Sequence, residues 1–266
     1  MSGFERLENI IKEYGKVAVA FSGGVDSTFL VCFAGKVLGN ENVIAVTAAA
    51  PNFAADEIEY AKNLCKKLGI EHRCEEIELP CLFWKNPEDR CYHCKKSIFS
   101  DIISKLPEGF VFCDGSNADD LKDYRPGSKA AKELGVRSPL EEAGLTKKEI
   151  RQGLKDMNIS IWNKPAFACL ASRIPYNTEI TENMLAAVYA LESMLKAEGF
   201  TQLRARLEGE KVRFELVTDE IGKLLGDETL LAILEAKAKE FGYREIEVDP
   251  RGYRMGSLND AIKKGE

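Results

Sequence analysis

The sequence predicts an α/β fold: a doubly wound parallel sheet, followed by a smaller C-terminal α+β domain. Three observations carry this. Short apolar runs alternate with amphipathic helical stretches through residues 17–114. The first run stops at Ser22-Gly23-Gly24, and a helical pattern follows at once. After Ile174-Pro175-Tyr176 the alternation gives way to a long helical stretch and two adjacent strand patterns. The domain boundary is therefore placed there, giving domains 1–174 and 175–266. Strand-then-helix alternation is the signature of a parallel sheet covered on both faces.

Residues 4–14 have the spacing of a short amphipathic helix. Residues 17–21, VAVAF, contain no charge, which suits a strand buried on both faces. A helix is expected over 27–37, ended by Gly39-Asn40, and a second strand over 43–47. Residues 56–68 place Ile58, Ala61, Leu64, Cys65 and Leu68 on one helical face, stopped by Gly69. A third strand is expected over 71–78, a helix over 95–106 and a fourth strand over 109–114. In the C-terminal part the pattern gives a helix over 179–198 and strands over 202–207 and 211–217, joined by the turn Glu208-Gly209-Glu210. A helix over 218–241 and a strand over 244–248 complete it.

Composition narrows the function classes. The 266-residue chain is 45% hydrophobic and 30% charged, as expected of a globular protein. It has no apolar run long enough for a membrane span, and its first residues, MSGFERLENI, have no apolar signal core. A cytoplasmic protein with no membrane partner is expected. The net charge of −6 weighs against nucleic acid as a partner, because phosphate gripping needs clustered Lys and Arg. Eight cysteines in such a chain read as buried, metal-binding or catalytic rather than as a disulfide framework.

The glycine turn is the first site. A strand, a glycine turn and a helix present backbone N–H groups and a positive dipole end to an anion. Gly23 and Gly24 allow close approach, and Ser22 and Ser27 add hydroxyls. The turn lacks the Lys of GxxxxGK[ST] and the spacing of GxGxxG, so neither familiar glycine motif applies. Ser22-Gly23-Gly24-Val25-Asp26-Ser27 after a buried strand instead resembles the pyrophosphate loop of the PP-loop ATP-pyrophosphatases. That resemblance implies ATP cleaved between its α- and β-phosphates, a loop that holds the departing pyrophosphate, and Asp26 as a ligand for Mg²⁺. It also implies that the turn beginning at Thr47, TAAAPNF, lines the adenine. The strand ending in Cys113-Asp114-Gly115 reaches the same sheet edge, so Gly115, Asn117, Asp120 and Asp114 are candidates for nucleotide or magnesium contact. Loop capping is the competing role for the Asn and Asp side chains.

The cysteines are the second site. Cys91 and Cys94 are spaced i, i+3, just after the plausible helix start Asn86-Pro87-Glu88-Asp89. That spacing puts both sulfurs on one side of a first turn, where a helix N-terminus favours thiolate. A redox dithiol, half of a zinc site and part of an iron–sulfur site all fit CxxC alone. Cys169 gives a third thiol, and three thiolates with one open position suit a 4Fe–4S cluster. His93, next to Cys94, would point elsewhere on a helix. Cys32, Cys65, Cys74, Cys81 and Cys113 are expected to be small buried hydrophobes.

Together, SGGVDST, RCYHCK, DGSNADDLKDYRPG, SPL, KPAFACLASRIPYNTEIT and the tail DPRGYRMGSLN are similar to the LarE family, over nearly the whole chain. Members are ATP-dependent sulfur transferases that help make the nickel-pincer nucleotide cofactor of lactate racemase. The resemblance implies a small-molecule nucleotide substrate, a pyridinium dicarboxylate mononucleotide. One of its carboxylates is adenylated, and sulfur then displaces AMP to give a thiocarboxylate. Some members sacrifice the sulfur of one cysteine at the position of Cys169 and keep dehydroalanine. Others carry three cysteines that hold a 4Fe–4S cluster, and the CxxC of this chain places it with those. The resemblance further implies a homo-oligomer and leaves the sulfur donor open.

Several residues then have paired readings. Arg173 could stabilise charge on the acyl phosphate, or form a surface salt bridge. Arg125 is a second anion-binding candidate. Arg204 and Arg206 share a strand face and could bind the substrate's phosphate, or form a charged exterior face. Trp84 could stack on a pyridinium ring, whereas Trp162 reads as packing. A tRNA-thiolating enzyme of the same chemistry would need a basic surface, which the charge balance disfavours. A non-catalytic nucleotide- or metal-binding module would bind ATP without turnover.

Overall fold

The computed structural model describes residues 1–122, 126–164 and 168–254. Arg125 and the tail beyond residue 254 lie outside them. The chain separates into two compact units, Met1–Phe83 with Glu88–Phe167, and Trp84–Pro87 with Ala168–Glu266.

The first unit is built on a four-stranded parallel sheet: β1 (Val17–Ala20), β2 (Val43–Ala49), β3 (Glu71–Glu76) and β4 (Val111–Cys113). The order is β3-β2-β1-β4. The chain runs outward from β1 to β3, then returns to the other side of β1. The strand order therefore reverses between β1 and β4, which is where open parallel sheets bind ligands. Helices flank the sheet: α1 (Gly3–Tyr14), α2 (Val25–Leu38), α3 (Ala55–Leu68), a short α4 (Cys81–Lys85) and α5 (Arg90–Lys105). Three more follow β4: α6 (Pro126–Glu133), α7 (Pro139–Glu142) and α8 (Lys147–Asp156).

The core explains the charge-free strands. Val17 and Val19 of β1 and Val43 and Ala45 of β2 pack with Phe29, Leu30 and Val31 of α2 in one buried cluster. α2 is apolar around most of its circumference, because its solvent-averse face is covered by α1 and α8 as well as the sheet. Gly153 of α8 permits this closeness: a Cβ there would lie 2.5 Å from the ring of Phe29.

α5 starts five residues earlier than the periodicity predicts, at Arg90. Cys91 and Cys94 thus lie inside its first turns, because buried Arg90 and Cys94 already belong to its inner face. Cys65 and Cys113 are buried as expected, and burial pushes the thiol of Cys65 up to about 12. Cys74 and Cys81 depart from the expectation and are exposed, Cys74 on the edge strand β3 and Cys81 at the start of α4.

The second unit carries a small mixed sheet in the order β5-β6-β7. β5 (Leu203–Glu208) and β6 (Lys211–Leu216) are antiparallel, and β7 (Glu245–Val248) runs parallel to β6. Gly209 sits at the hairpin with φ +61°, a conformation that glycine takes without strain. α9 (Glu182–Ala197), α10 (Thr218–Leu225) and α11 (Glu228–Glu240) complete the unit. The single helix expected over 218–241 is broken in two. Gly226 ends α10, and the Asp227 carboxylate accepts from Leu230 N at 2.9 Å as a fresh N-cap. The segment Trp84–Pro87 is stitched into this unit by Asn86, whose side chain donates to Pro175 O (2.7 Å) and Thr178 O (2.9 Å). Ile180 N donates to Trp84 O at 2.7 Å, and Asn177 N to Asn86 O at 2.8 Å.

Phe29 is fully buried between the first-unit helices. Phe29→Ala is expected to lower unfolding free energy by about 3–5 kcal/mol, read from the urea midpoint at constant slope.

Candidate active site

β1 ends at Ala20, and Phe21 still pairs with the sheet through its N–H to Val46 O at 2.8 Å. The chain then turns at Gly23, where φ is +65° and a Cβ would lie 3.2 Å from Tyr60. Gly24 is the N-cap of α2. The Ser22 hydroxyl accepts from Gly24 N (3.3 Å) and lies 3.3 Å from the Ser27 hydroxyl, which donates to Gly24 O (3.3 Å). Side chains of the motif thus brace its own backbone, leaving the helix start to face outward. Gly115, just after β4, comes so near that a Cβ would lie 3.1 Å from Ser27 N.

Between these turns lies a cavity of about 270 Å³, lined by Ser22, Gly24, Asp26, Ser27, Lys95, Asp114 and neighbouring residues. Asp26 is its most telling member. One carboxylate oxygen is ion-paired with Lys147, and the other is buried with no hydrogen-bond partner among the described residues. Burial pushes this carboxyl above the usual range, and Lys147 only partly draws it back. A buried, unmatched oxygen in a pocket with two further carboxylates, Asp114 and Asp120, fits a divalent cation. Asp26 and Asp120 could hold one. Asp114 is less suited, since its oxygens already receive Lys95 Nζ (2.8 Å), the Ser138 hydroxyl (2.7 Å), and the Ser116 N–H (3.2 Å) and hydroxyl (3.0 Å). Burial raises the Asp114 carboxyl, but Lys95 and these hydrogen bonds outweigh it and hold the group below the usual range.

Asn117 is buried and serves its own loop: its Oδ1 accepts from Asp119 N at 3.0 Å. Thr47 is also turned inward. Its hydroxyl donates to Phe21 O (2.7 Å), and His72 Nε2 lies 2.8 Å away. The turn after β2 reaches α5 through Asn52, whose Nδ2 lies 4.0 Å from Cys94 Sγ. One of the paired thiols is therefore in contact with the turn expected to receive adenine. Cys91, on the same helix, is exposed, and His93 bonds Asp89 at 3.0 Å.

The remaining predicted residues belong to the second unit. Cys169 caps a short 3-10 turn, Leu170–Arg173. Arg173 folds back, donating to Ala168 O (2.7 Å) and Cys169 O (3.0 Å), and makes a buried two-pronged pair with Glu192 at 2.7 Å on each prong. The salt bridge expected at the surface is instead buried. Arg204 and Arg206 are both buried. Arg206 pairs with Glu215 at 3.0 Å and donates to Ser172 O at 2.5 Å. Arg204 donates to its neighbour Leu203 O, lies 5.1 Å from the Tyr253 ring centroid, and has no carboxylate partner among the described residues. Burial and the adjacent Arg173 charge push its pKa down, so an anion beside it would be welcome. Trp84 is half-buried on the Trp84–Pro87 segment. Trp162 packs against the first unit's core beneath Lys155, as expected of packing. Among the described residues, no group of three or more His, Cys, Asp or Glu side chains is gathered to hold a metal ion.

Sequence reasoning missed three lysines of the first unit. Lys95 lines the cavity, Lys147 binds Asp26, and Lys164 donates to Gly23 O at 3.2 Å while pairing with Glu57 at 2.7 Å. Lys95 and Lys164 stand inside quoted motifs, next to the cysteines that drew attention. Lys147 is the first residue of a helix opened by a Thr146/Glu149 capping box, which is a readable signal.

Residues 4–98 match the NAD synthase family model. Over 96% of this chain and 93% of its own length, the pyridinium-3,5-bisthiocarboxylic acid mononucleotide synthase of Lactiplantibacillus plantarum is 34% identical. An uncharacterized protein of Synechocystis sp. is 38% identical over 99% of both chains. A glutamine-dependent NAD(+) synthetase of Aquifex aeolicus is 39% identical over 24% of this chain and 12% of its own length.

Removing Glu192 leaves the Arg173 guanidinium buried without its carboxylate. Glu192→Ala is expected to cost about 3–5 kcal/mol of stability in chemical denaturation. An exposed pair such as Lys12 with Glu8 should cost less than about 1 kcal/mol when broken.

Proposed function

Because the chain belongs to the LarE family of PP-loop enzymes, we propose that it inserts sulfur into a pyridinium dicarboxylate mononucleotide at the expense of ATP. A carboxylate resists attack because its leaving group would be oxide. Its oxygen attacks the α-phosphorus of ATP, the α–β bridging P–O bond breaks, and pyrophosphate leaves. A sulfur nucleophile then forms a C–S bond at the activated carbonyl as the C–O bond to AMP breaks, giving a thiocarboxylate.

The observation that carries this reading is the braced glycine turn opening into the carboxylate-lined cavity, with Cys94 against the neighbouring turn. In this reading Ser22, Gly23, Gly24, Val25 and Ser27 hold the pyrophosphate with backbone N–H groups and hydroxyls. The region around Thr47, Gly115 and Asn117 shapes the adenylate pocket. Asp26 and Asp120 hold Mg²⁺, which neutralises phosphate charge when bound. Arg204 and Arg206 bind the substrate's phosphate, supported by their burial and by the absence of a carboxylate hydrogen-bonded to Arg204 among the described residues. Arg173 fixes the backbone at Cys169, and Trp84 stacks on the substrate ring. Arg125 remains an anion-binding candidate on sequence grounds.

The proposal includes a 4Fe–4S cluster on Cys91, Cys94 and Cys169. Its support is the donor chemistry: two thiols on one helical turn, and a third in a motif of the family. The described residues do not gather three such ligands, so the cluster rests on the motif, and the steps above rest on the chain's own groups and the two substrates. A cytoplasmic homo-oligomer completes the reading. Among the described residues no helix is long and apolar enough to cross a membrane.

Pyrophosphate release should depend on the dicarboxylate mononucleotide, and Asp26→Asn should slow it by about a hundredfold or more. A protein that binds ATP but releases no pyrophosphate with this substrate is not this enzyme. Intact-mass measurement after turnover separates the sulfur sources. An unchanged Cys169 over repeated turnovers, with iron and labile sulfide in the anaerobically purified protein, is expected. Loss of one H₂S at Cys169 would instead mark the sacrificial route.

A further inference from the structure

The departing pyrophosphate carries several negative charges, and the loop has no lysine of its own. A helix start supplies only about half a positive charge, while three carboxylates line the cavity. Any protein cation that joins Mg²⁺ on the phosphates comes from another element. Lys147 holds Asp26 and is not among the residues that line the cavity. Lys164 grips a carbonyl, that of Gly23, and the Glu57 carboxylate. Among the described residues, Lys95 is the lysine that lines the cavity itself. It projects from α5, with its Nζ 4.9 Å from the Phe99 ring centroid and 2.8 Å from an Asp114 oxygen. Its side chain is 27% exposed, so it is partly open to an incoming ligand.

Asp114 makes that lysine transferable. If Lys95 leaves, the carboxylate keeps the Ser138 hydroxyl and both Ser116 donors. The buried acceptor then still has three hydrogen bonds, so the exchange leaves no hydrogen-bond vacancy on Asp114. Resting on the ATP-cleaving reading above, we propose that Lys95 is the phosphate-binding cation of this site. Its ammonium moves from Asp114 to the phosphate oxygens of bound ATP and stays with the pyrophosphate as the α–β bond breaks and the electron pair passes to the β-phosphate oxygen. Cys94 is the preceding residue of the same helix, so one element brings both the phosphate cation and a thiol to the nucleotide.

The test is calorimetric titration of inorganic pyrophosphate with Mg²⁺, and separately of AMP, into the wild type, Lys95→Met and Lys95→Arg. Lys95→Met should weaken pyrophosphate about 10- to 100-fold, the value of one charge-assisted hydrogen bond, and leave AMP within about twofold. Lys95→Arg should restore most of the pyrophosphate affinity. AMP binding by the same sample shows that the site is folded. Unchanged pyrophosphate affinity in Lys95→Met overturns the assignment, as does an equal loss of AMP and pyrophosphate. A wild type that binds neither pyrophosphate nor AMP overturns the underlying ATP reading instead.

Discussion

The site depends on one backbone constraint: the turn after β1 must expose its N–H groups at the point where β1 and β4 part. Gly23 meets it with a positive φ against Tyr60, and Gly115 meets it by letting the β4 turn close on the start of α2. A side chain at Gly115 would press on Ser27 and Asp26 and push the two turns apart, and one at Gly23 would press on Tyr60 and Ala61 of α3. The sheet order fixes where this happens, because only beside β1 do successive connections leave in opposite directions. The buried Val and Ala residues of β1 and the packing of α2 on α8 hold the turn from behind.

Charge is the second constraint. The cavity presents carboxylates to a substrate that is itself polyanionic, an arrangement that makes sense only with cations between them. Two lysines supply positive charge there: Lys147 on Asp26 and Lys95 on Asp114. Each of these two carboxylates is thus ion-paired with a lysine from another element. The second unit repeats the theme with opposite sign. Arg173 and Arg206 are buried in pairs with Glu192 and Glu215, while buried Arg204 has no carboxylate ion pair among the described residues.

The parts legible in the sequence were those encoded by neighbours in the chain. The alternation of β1, α2, β2 and α3 follows from apolar periodicity, and the glycine turn between β1 and α2 from six consecutive residues. The CxxC spacing likewise placed two thiols on one helical turn, although the helix began earlier than its apolar pattern implied. What was not legible depends on long-range pairing. Lys164 reaches Gly23 across 141 positions and Lys147 reaches Asp26 across 121, distances at which no periodicity speaks. Alternation on β5 correctly put Arg204 and Arg206 on one face, but could not tell that the face is buried. The break between α10 and α11 was visible as Gly226-Asp227, yet the apolar pattern on both sides concealed it.

The central claim is that ATP activates a carboxylate by adenylating it, and oxygen labelling tests this most directly. The dicarboxylate mononucleotide, labelled with ¹⁸O in its carboxylates, is turned over with unlabelled ATP, and the phosphorus products are resolved by mass. The account predicts one ¹⁸O in AMP and none in pyrophosphate. AMP without label, or label in pyrophosphate or orthophosphate, would contradict it.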